Sequence, residues 1–529
     1  MKNNNNLPIY FSLAVVFGVI IGVSLNGSLS DIFSLNKNSS QEIKLKRLIN
    51  FIEKDYVDTI NTESLLDGAI TQMLDKLDPH SVYIPKENLQ AVKENMQGNF
   101  YGIGVSFFMY KDSVTIIRVL EGGPSEAAGL QAGDRILIAD EDTLFQKKYS
   151  SEKIMQTLKG KAGTLVDLTM YRKSEDKTFQ LEMKRGKIPL PSVESFYLIG
   201  KTVGYIKINR FSQTTFEEFD FALNDLLSNG MENLILDLRN NPGGYLIPAK
   251  QISNAFLSKG QTIVITQSNM GEEKKSIADG NGHFQEGGLM VLVNEQSASA
   301  SEIIAGAVQD NDRGWIIGRR TFGKGLVQQQ MPLGGGDAVR LTIAKYFTPT
   351  GRSIQKPYNG NREGYFKDLS NRYQTGEMAD VNKIPVIDSL AFKTPKGRAV
   401  YGGGGITPDF YISNTKTEEE EWNLFILNSN FMNNFVFDQL DQNRRDFNAI
   451  EKDGLLANQF EDLLPWRSIF LEYCAEKEIE IEVNEEQILK AIKAYLGLQL
   501  FGENTFNLIN NEGDLFMEKA ITTLDSLTD

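Results

Sequence analysis

Three serines at alternate positions, Ser297, Ser299 and Ser301, stand where the apolar run Leu292-Val293 gives way to a small polar turn and then to a helical pattern over Ser301 to Val308. A hydroxyl at the mouth of a helix suits acyl-transfer chemistry, because the free N–H groups and the helix dipole favour negative charge developing there. The segment also has a purely structural reading: Ser299-x-x-Glu302 is a capping box, in which both side chains only satisfy helix-end N–H groups. A serine nucleophile needs a base as well. The chain holds two histidines, His80 and His283, one cysteine, Cys474, and no HExxH zinc pattern. Hydrolysis here must manage with few imidazoles, and neither a metal site nor a cofactor is expected.

A second segment, Thr321-Phe322-Gly323-Lys324-Gly325-Leu326-Val327-Gln328, sets a lysine between two glycines after an apolar strand pattern. Gly318 to Lys324 also satisfies the G-x-x-x-x-G-K start of a phosphate loop, but Gly325 stands where that loop needs Ser or Thr for magnesium. Nucleotide binding is set aside on that ground. A free lysine, with a pKa of about 10.4, is protonated at neutral pH and cannot accept a proton. Burial beside Phe322 and Val327 would disfavour the ammonium form. Lowering the pKa to roughly 7 asks for about 4–5 kcal/mol.

Together, S-A-S-A-S-E and T-F-G-K-G-x-V-Q resemble the carboxyl-terminal processing (tail-specific) proteases, serine peptidases with a Ser–Lys dyad. The resemblance runs from about residue 41 to 415 and includes Asp237-Leu238-Arg239-Asn240-Asn241-Pro242-Gly243-Gly244, Tyr346 to Ile354 (Y-F-T-P-T-G-R-S-I) and the Gly404 to Asp409 stretch containing Ile406-Thr407-Pro408-Asp409. It implies Ser299 as nucleophile, Lys324 as general base and Gln328 as the residue orienting the amine. It implies an oxyanion hole from the Ala300 N–H and a glycine of N-P-G-G, Gly244 in preference to Gly243. It further implies protein or peptide substrates and an acyl-enzyme intermediate. A catalytically silent PDZ scaffold and a non-peptidase hydrolase on the same fold are the rival readings.

The elements that would position these groups form a multidomain α+β chain. Residues 31–87 read as an N-terminal helical region, with apolar residues such as Leu45, Leu48, Ile49 and Ile52 at three- and four-residue steps. Residues 88–186 carry short β-like runs between Gly-rich turns, and one helical segment from Ser150 to Leu158. They resemble a PDZ domain. Tyr101-Gly102-Ile103-Gly104 matches its carboxylate-binding loop, and Pro124 to Leu130 with Ala132 to Ile136 matches its other signature. In such a loop, successive free N–H groups cradle a carboxylate and the peptide adds as a strand. The resemblance implies substrates with exposed C-termini and a peptide-gated active site, with Arg118 as a candidate sensor. Residues 187–415 alternate strand and helix patterns, as an α/β protease core would, with an apparent polar insertion at about 357–399 that reads as a lid or a disordered loop. Residues 416–529 read as a helical C-terminal region, able to pack or self-associate as a homo-oligomer.

The formal net charge of −14 over 529 residues, without a basic stripe, argues against a nucleic-acid partner. With one cysteine, no intramolecular disulfide can form. Residues 1–30 hold Leu7 to Leu25, a stretch free of charge and close to the ~20 residues that span a bilayer. It reads as a membrane anchor, or alternatively as a cleaved signal peptide. Either reading places the remainder outside the cytoplasm, expected on the periplasmic side of a bacterial inner membrane.

Overall fold

The computed structural model describes residues 40–528 apart from 111, 359, 361, 386–389, 443, 445–448 and 458–462. The stretch Leu7 to Leu25 lies outside the described residues. No helix among the described residues is long and apolar enough to cross a membrane. The chain divides into two units, Met1–Leu74 and Asp75–Asp529. The first contains α1 (Ser40–Asp55) and most of α2 (Thr62–Asp75). Asn61 caps the start of α2 by accepting the Ser64 N–H.

In the second unit, β1 (Val82–Ile84) is a short strand inside a stretch whose periodicity suggests only helix, followed by α3 (Lys86–Gln97). Next come β2 (Asn99–Gly102), β3 (Val105–Tyr110), β4 (Ser113–Val119), β5 (Asp134–Ala139), α4 (Ser151–Leu158), β6 (Leu165–Arg172), β7 (Lys177–Lys184) and β8 (Gly186–Pro189). Strands β3-β4-β5-β6-β7 form an antiparallel sheet in that order. Its core includes Val114, Ile116, Ile136, Ile154 and Val166. Strands β2 and β8 pair beside it and close the ends of this domain on each other. Ser150 starts α4 by accepting the Lys153 N–H.

The next domain is built on a second sheet, ordered β9 (Val193–Ile199), β10 (Val203–Ile208), β11 (Asn233–Asp237), β14 (Leu289–Val293), β15 (Trp315–Gly318) and β18 (Phe410–Tyr411). Only the β9–β10 pair is antiparallel. Strands buried on both faces read as continuous apolar runs, which is why Leu289–Val293 has no polar alternation. Against one face pack α5 (Thr215–Ser228), α6 (Leu246–Phe256) and α7 (Ala300–Asp310).

A third, antiparallel sheet is assembled from β1, β12 (Thr262–Ser268), β13 (Glu273–Ile277), β16 (Leu326–Pro332) and β17 (Ala338–Phe347). The lysine segment is the loop that leads from β15 of the core sheet into β16 of this one. The described residues of the 357–399 stretch do not form a loose loop. Its described helices α8 (Arg362–Phe366) and α9 (Asp368–Gln374) bury Tyr365 and Arg372 respectively. Arg372 donates to the carbonyls of Arg320 and Thr321, and Glu377 forms a two-point pair with Arg320 at 2.7 Å. Charged side chains that bury themselves by pairing look like loop composition in a hydropathy reading.

The C-terminal region is not a free-standing tail. Helices α10 (Glu418–Leu427), α11 (Asn430–Gln442), α12 (Leu464–Glu476) and α13 (Glu485–Phe501) share a core around Phe435, Phe470, Ile492 and Leu496. Helix α14 (Glu503–Asn511) covers edge strand β9, with Asn504 Oδ1 accepting the Phe196 N–H. Helix α15 (Leu515–Thr528) lays Met517, Ala520 and Leu524 on the second face of the core sheet, against Tyr205, Ile235, Met290, Leu292 and Ile317. That face is apolar and has to be covered, and the last helix covers it.

Candidate active site

Strand β14 ends at Val293, and α7 begins at Ala300, so the intervening turn projects from the carboxyl end of a parallel strand. Its three serines are distinguished by their partners. Ser297 is fully buried and donates to the Leu238 carbonyl at 2.8 Å. Ser301 is fully buried and donates to the Asn241 carbonyl at 3.0 Å. Both therefore bolt the turn to the Asp237–Gly244 loop. Ser299 is the one left partly exposed. Its backbone sits at φ 54°, ψ −108°, a conformation that non-glycine residues rarely take and that costs of order 1–3 kcal/mol. The buried Tyr346 hydroxyl donates to the Ser299 carbonyl and helps hold it there.

Glu302 is the hub of the site. Fully buried, it accepts four hydrogen bonds: from the N–H groups of Ser299 (2.8 Å), Gly323 (2.7 Å) and Lys324 (2.9 Å), and from the Thr321 hydroxyl (2.6 Å). The carboxylate half of the capping box thus does more than cap. It joins the serine at the mouth of α7 to the loop carrying Lys324. Burial pushes the Glu302 carboxyl up from its ordinary value, and the four donors oppose that push.

The Lys324 amine donates to Gln328 Oε1 at 2.8 Å, and Gln328 Nε2 donates to the His80 carbonyl at 2.5 Å. Desolvation, with a smaller contribution from Arg340, lowers the Lys324 amine to about 8. Burial first, and the neighbouring Lys324 second, lower His80 to about 4, so its imidazole is neutral. No hydrogen bond joins the Lys324 amine to the Ser299 hydroxyl; the amine is turned to Gln328.

Opposite Ser299 lies the N-P-G-G turn. A side chain on Gly243 would meet Ser299 Cβ at 2.8 Å and the Ala300 nitrogen at 2.9 Å, so only glycine fits. The Gly243 N–H is spent on Asn241 Oδ1 at 2.9 Å. The N–H groups of Gly244 and Ala300 make no hydrogen bond to any described residue.

A family model described as "Peptidase family S41" matches residues 202–360, a "PDZ domain" model matches 102–183, and one described as "Activating protease CtpB N-terminal domain" matches 28–88. The carboxy-terminal-processing protease of Bartonella bacilliformis is 33% identical over 346 residues, covering 64% of this chain and 79% of that one. The chain belongs to peptidase family S41. Another member, the carboxy-terminal processing protease CtpB of Bacillus subtilis, is 34% identical over 316 residues, which span 59% of this chain and 65% of that protein. A solved structure of a photosystem II D1 C-terminal processing protease aligns with 26% identity and a TM-score of 0.37 over 71% of this chain and 88% of that one. The chain is accordingly a serine-type peptidase of the carboxy-terminal processing kind that carries a PDZ domain.

Other motifs of this S41 peptidase act as scaffolding. Arg352 and Asp310 pair at 2.6 Å with both side chains fully buried, fixing the far end of α7 to the Thr348–Arg352 turn. Asp409 accepts the Ile316 N–H and a bond from Gln309. Asp237 is fully buried; desolvation raises its carboxyl, but the Arg239 guanidinium more than offsets this and holds it below its ordinary value.

In the PDZ domain, Gly102, Ile103 and Gly104 line a cavity of about 360 Å³ with Phe107, Met155 and Leu158. The N–H groups of Ile103 and Gly104 make no hydrogen bond to any described residue, while their carbonyls accept from Ser125 and Leu120. Tyr101 does not line this cavity; its side chain is exposed on β2. Nor does Arg118, which pairs instead with Glu503 of α14 at 3.5 Å. Sequence reasoning assigned Glu302 to capping alone, and it missed His80 and Tyr365 altogether. The spacing of Glu302 from Ser299 was visible; its bonds to the lysine loop depend on tertiary approach.

Proposed function

We propose that this peptidase cleaves envelope proteins or peptides through an acyl-enzyme intermediate, with Ser299 as nucleophile and Lys324 as general base. The observation that carries the reading is the buried Glu302 carboxylate, which binds the backbone of both residues and so ties them into one unit. A half-buried amine at about 8 is neutral often enough near neutral pH to take the serine proton. The Ala300 and Gly244 N–H groups, without partners among the described residues, are the donors for the oxyanion. Gln328 orients the amine. Because the amine faces Gln328 rather than Ser299, a turn of the Lys324 side chain must precede proton transfer, and we assign that turn to peptide engagement.

The apolar PDZ groove, with two N–H groups that have no partner among the described residues, supports selection of substrates by an apolar C-terminus. Leu7 to Leu25 serves as the membrane anchor, placing the peptidase on the periplasmic side. Self-association is a further part of the reading, supported by the exposed Leu45, Leu48 and Phe51 on α1.

The test is digestion of an unfolded protein by the full chain and by Ser299→Ala. The expected result is loss of activity by a factor of at least about 10³ in the variant. Equal digestion by both would remove Ser299 from the mechanism.

A further inference from the structure

The buried aromatic cluster beside the lysine loop contains one hydroxyl that the mechanism above leaves unused. Tyr365, on α8 of the 357–399 insertion, is buried, and its hydroxyl lies 2.7 Å from His80 Nε2. Gln355 Nε2 donates to the same hydroxyl oxygen at 3.3 Å. The hydroxyl thus sits between His80 Nε2 and Gln355 Nε2, joined to the neutral imidazole by a hydrogen bond whose donor is set by the ring's tautomer. The ring is enclosed edge-on by Tyr365 at 5.2 Å and Phe322 at 6.1 Å.

We propose that Tyr365 is a positioning residue for the catalytic lysine, clamping the Lys324 loop through His80 on one side and Gln355 on the other. This rests on the Ser299–Lys324 reading given above. On the first side, the His80 ring fixes the His80 peptide, whose carbonyl accepts Gln328 Nε2. An amide has a donor end and an acceptor end. With Nε2 committed to His80, Oε1 must face the Lys324 amine, as it does at 2.8 Å. Released from His80, the amide is free to turn and present N–H groups to the amine. On the second side, Gln355 Oε1 accepts the N–H of Gly325, the residue next to Lys324, at 2.8 Å. One hydroxyl from the insertion thus meets His80, whose carbonyl holds Gln328, and Gln355, which holds the Gly325 N–H beside Lys324. The insertion becomes part of the catalytic apparatus, acting from outside the first contact with substrate.

Tyr365→Phe keeps the ring and its packing while removing the hydroxyl, so the fold is expected to survive. Steady-state cleavage of a fluorophore–quencher peptide with a free apolar C-terminus would be measured with the full chain. The expected result is a fall in kcat of about tenfold, with KM changed by less than about twofold. In a Gln328→Ala background, Tyr365→Phe should cost clearly less than its full loss of about tenfold, since the path through the amide is gone and only that through Gln355 remains. Unchanged kcat in the single variant, or full multiplication of the two losses in the double variant, overturns the proposal. Should Ser299→Ala remain fully active, the dyad reading itself fails. An inactive Ser299→Ala beside a fully active Tyr365→Phe sinks only the role of Tyr365.

Discussion

A lysine becomes a base only where water cannot solvate its charge, and the cost of that arrangement falls on the folded state. The Lys324 amine is lowered by desolvation from its ordinary 10.5 to about 8. Its folded value lies below its unfolded one, so burial of the ammonium weakens the fold wherever both states are protonated, that is, below about pH 8. The penalty shrinks as pH rises from about 8 to 10.5 and vanishes above. Lys324→Met should therefore be inactive yet melt at a higher temperature than the parent at pH 7, with the gap closing towards pH 10.5. Calorimetry at a series of pH values checks this; a gap that widens with pH contradicts it. The parent's kcat/KM should rise through about pH 8 as the amine loses its proton, and a flat profile from pH 5 to 10 speaks against the lysine as base.

At the scale of elements, the site is a junction of loops rather than one motif. The turn before α7, the Asp237–Gly244 loop and the lysine loop meet at Glu302 and at the two buried serines. Glu302→Gln puts an NH2 group where two of the four donors now find an oxygen. Leaving buried donors unpaired costs about 1–3 kcal/mol each, and the lysine loop should shift away from Ser299. The expected outcome is a drop in kcat of about 10²-fold with a Tm lowered by several degrees. Parent-like kinetics in Glu302→Gln would show that the four bonds do not set the site.

The same scale explains what could be read in advance. Leu289–Val293 and the Leu234–Leu236 centre of Asn233–Asp237 are runs of apolar side chains, and their strands stand where the pattern placed them. The antiparallel sheet was hidden because β13 reads Glu-Lys-Lys-Ser-Ile and exposes nearly all of it, while β1 is only three residues long. The motifs that carry Ser299 and Lys324 were legible from local sequence. Tyr365, Arg372 and Glu377 were not, because their burial depends on partners more than 40 residues away, a long-range pairing that composition does not record.

At the scale of the whole molecule, the last helix decides whether the protease core has one protected face or two. One face of the core sheet is closed by α5, α6 and α7. The other presents Tyr205, Ile235, Met290, Leu292 and Ile317, and α15 covers them. Arg239 ties the start of α15 to the core through Asp514 at 2.9 Å, while Asp237 holds the same guanidinium beneath the catalytic loop. Met517 is 2% exposed in this contact, whereas Leu515 on the same helix is 57% exposed. Met517→Asp must bury a carboxylate against apolar side chains or undock the helix; lost transfer energy and polar burial together amount to about 3–5 kcal/mol. Thermal melting and limited proteolysis should show a markedly lower Tm and cleavage within α15 for Met517→Asp, with Leu515→Asp close to the parent in both. If the two variants behaved alike, α15 would be an appendage of the core. If they part as expected, the C-terminal segment is a layer of the protease fold, and loosening it exposes the sheet whose strand ends carry Ser299 and the N-P-G-G turn.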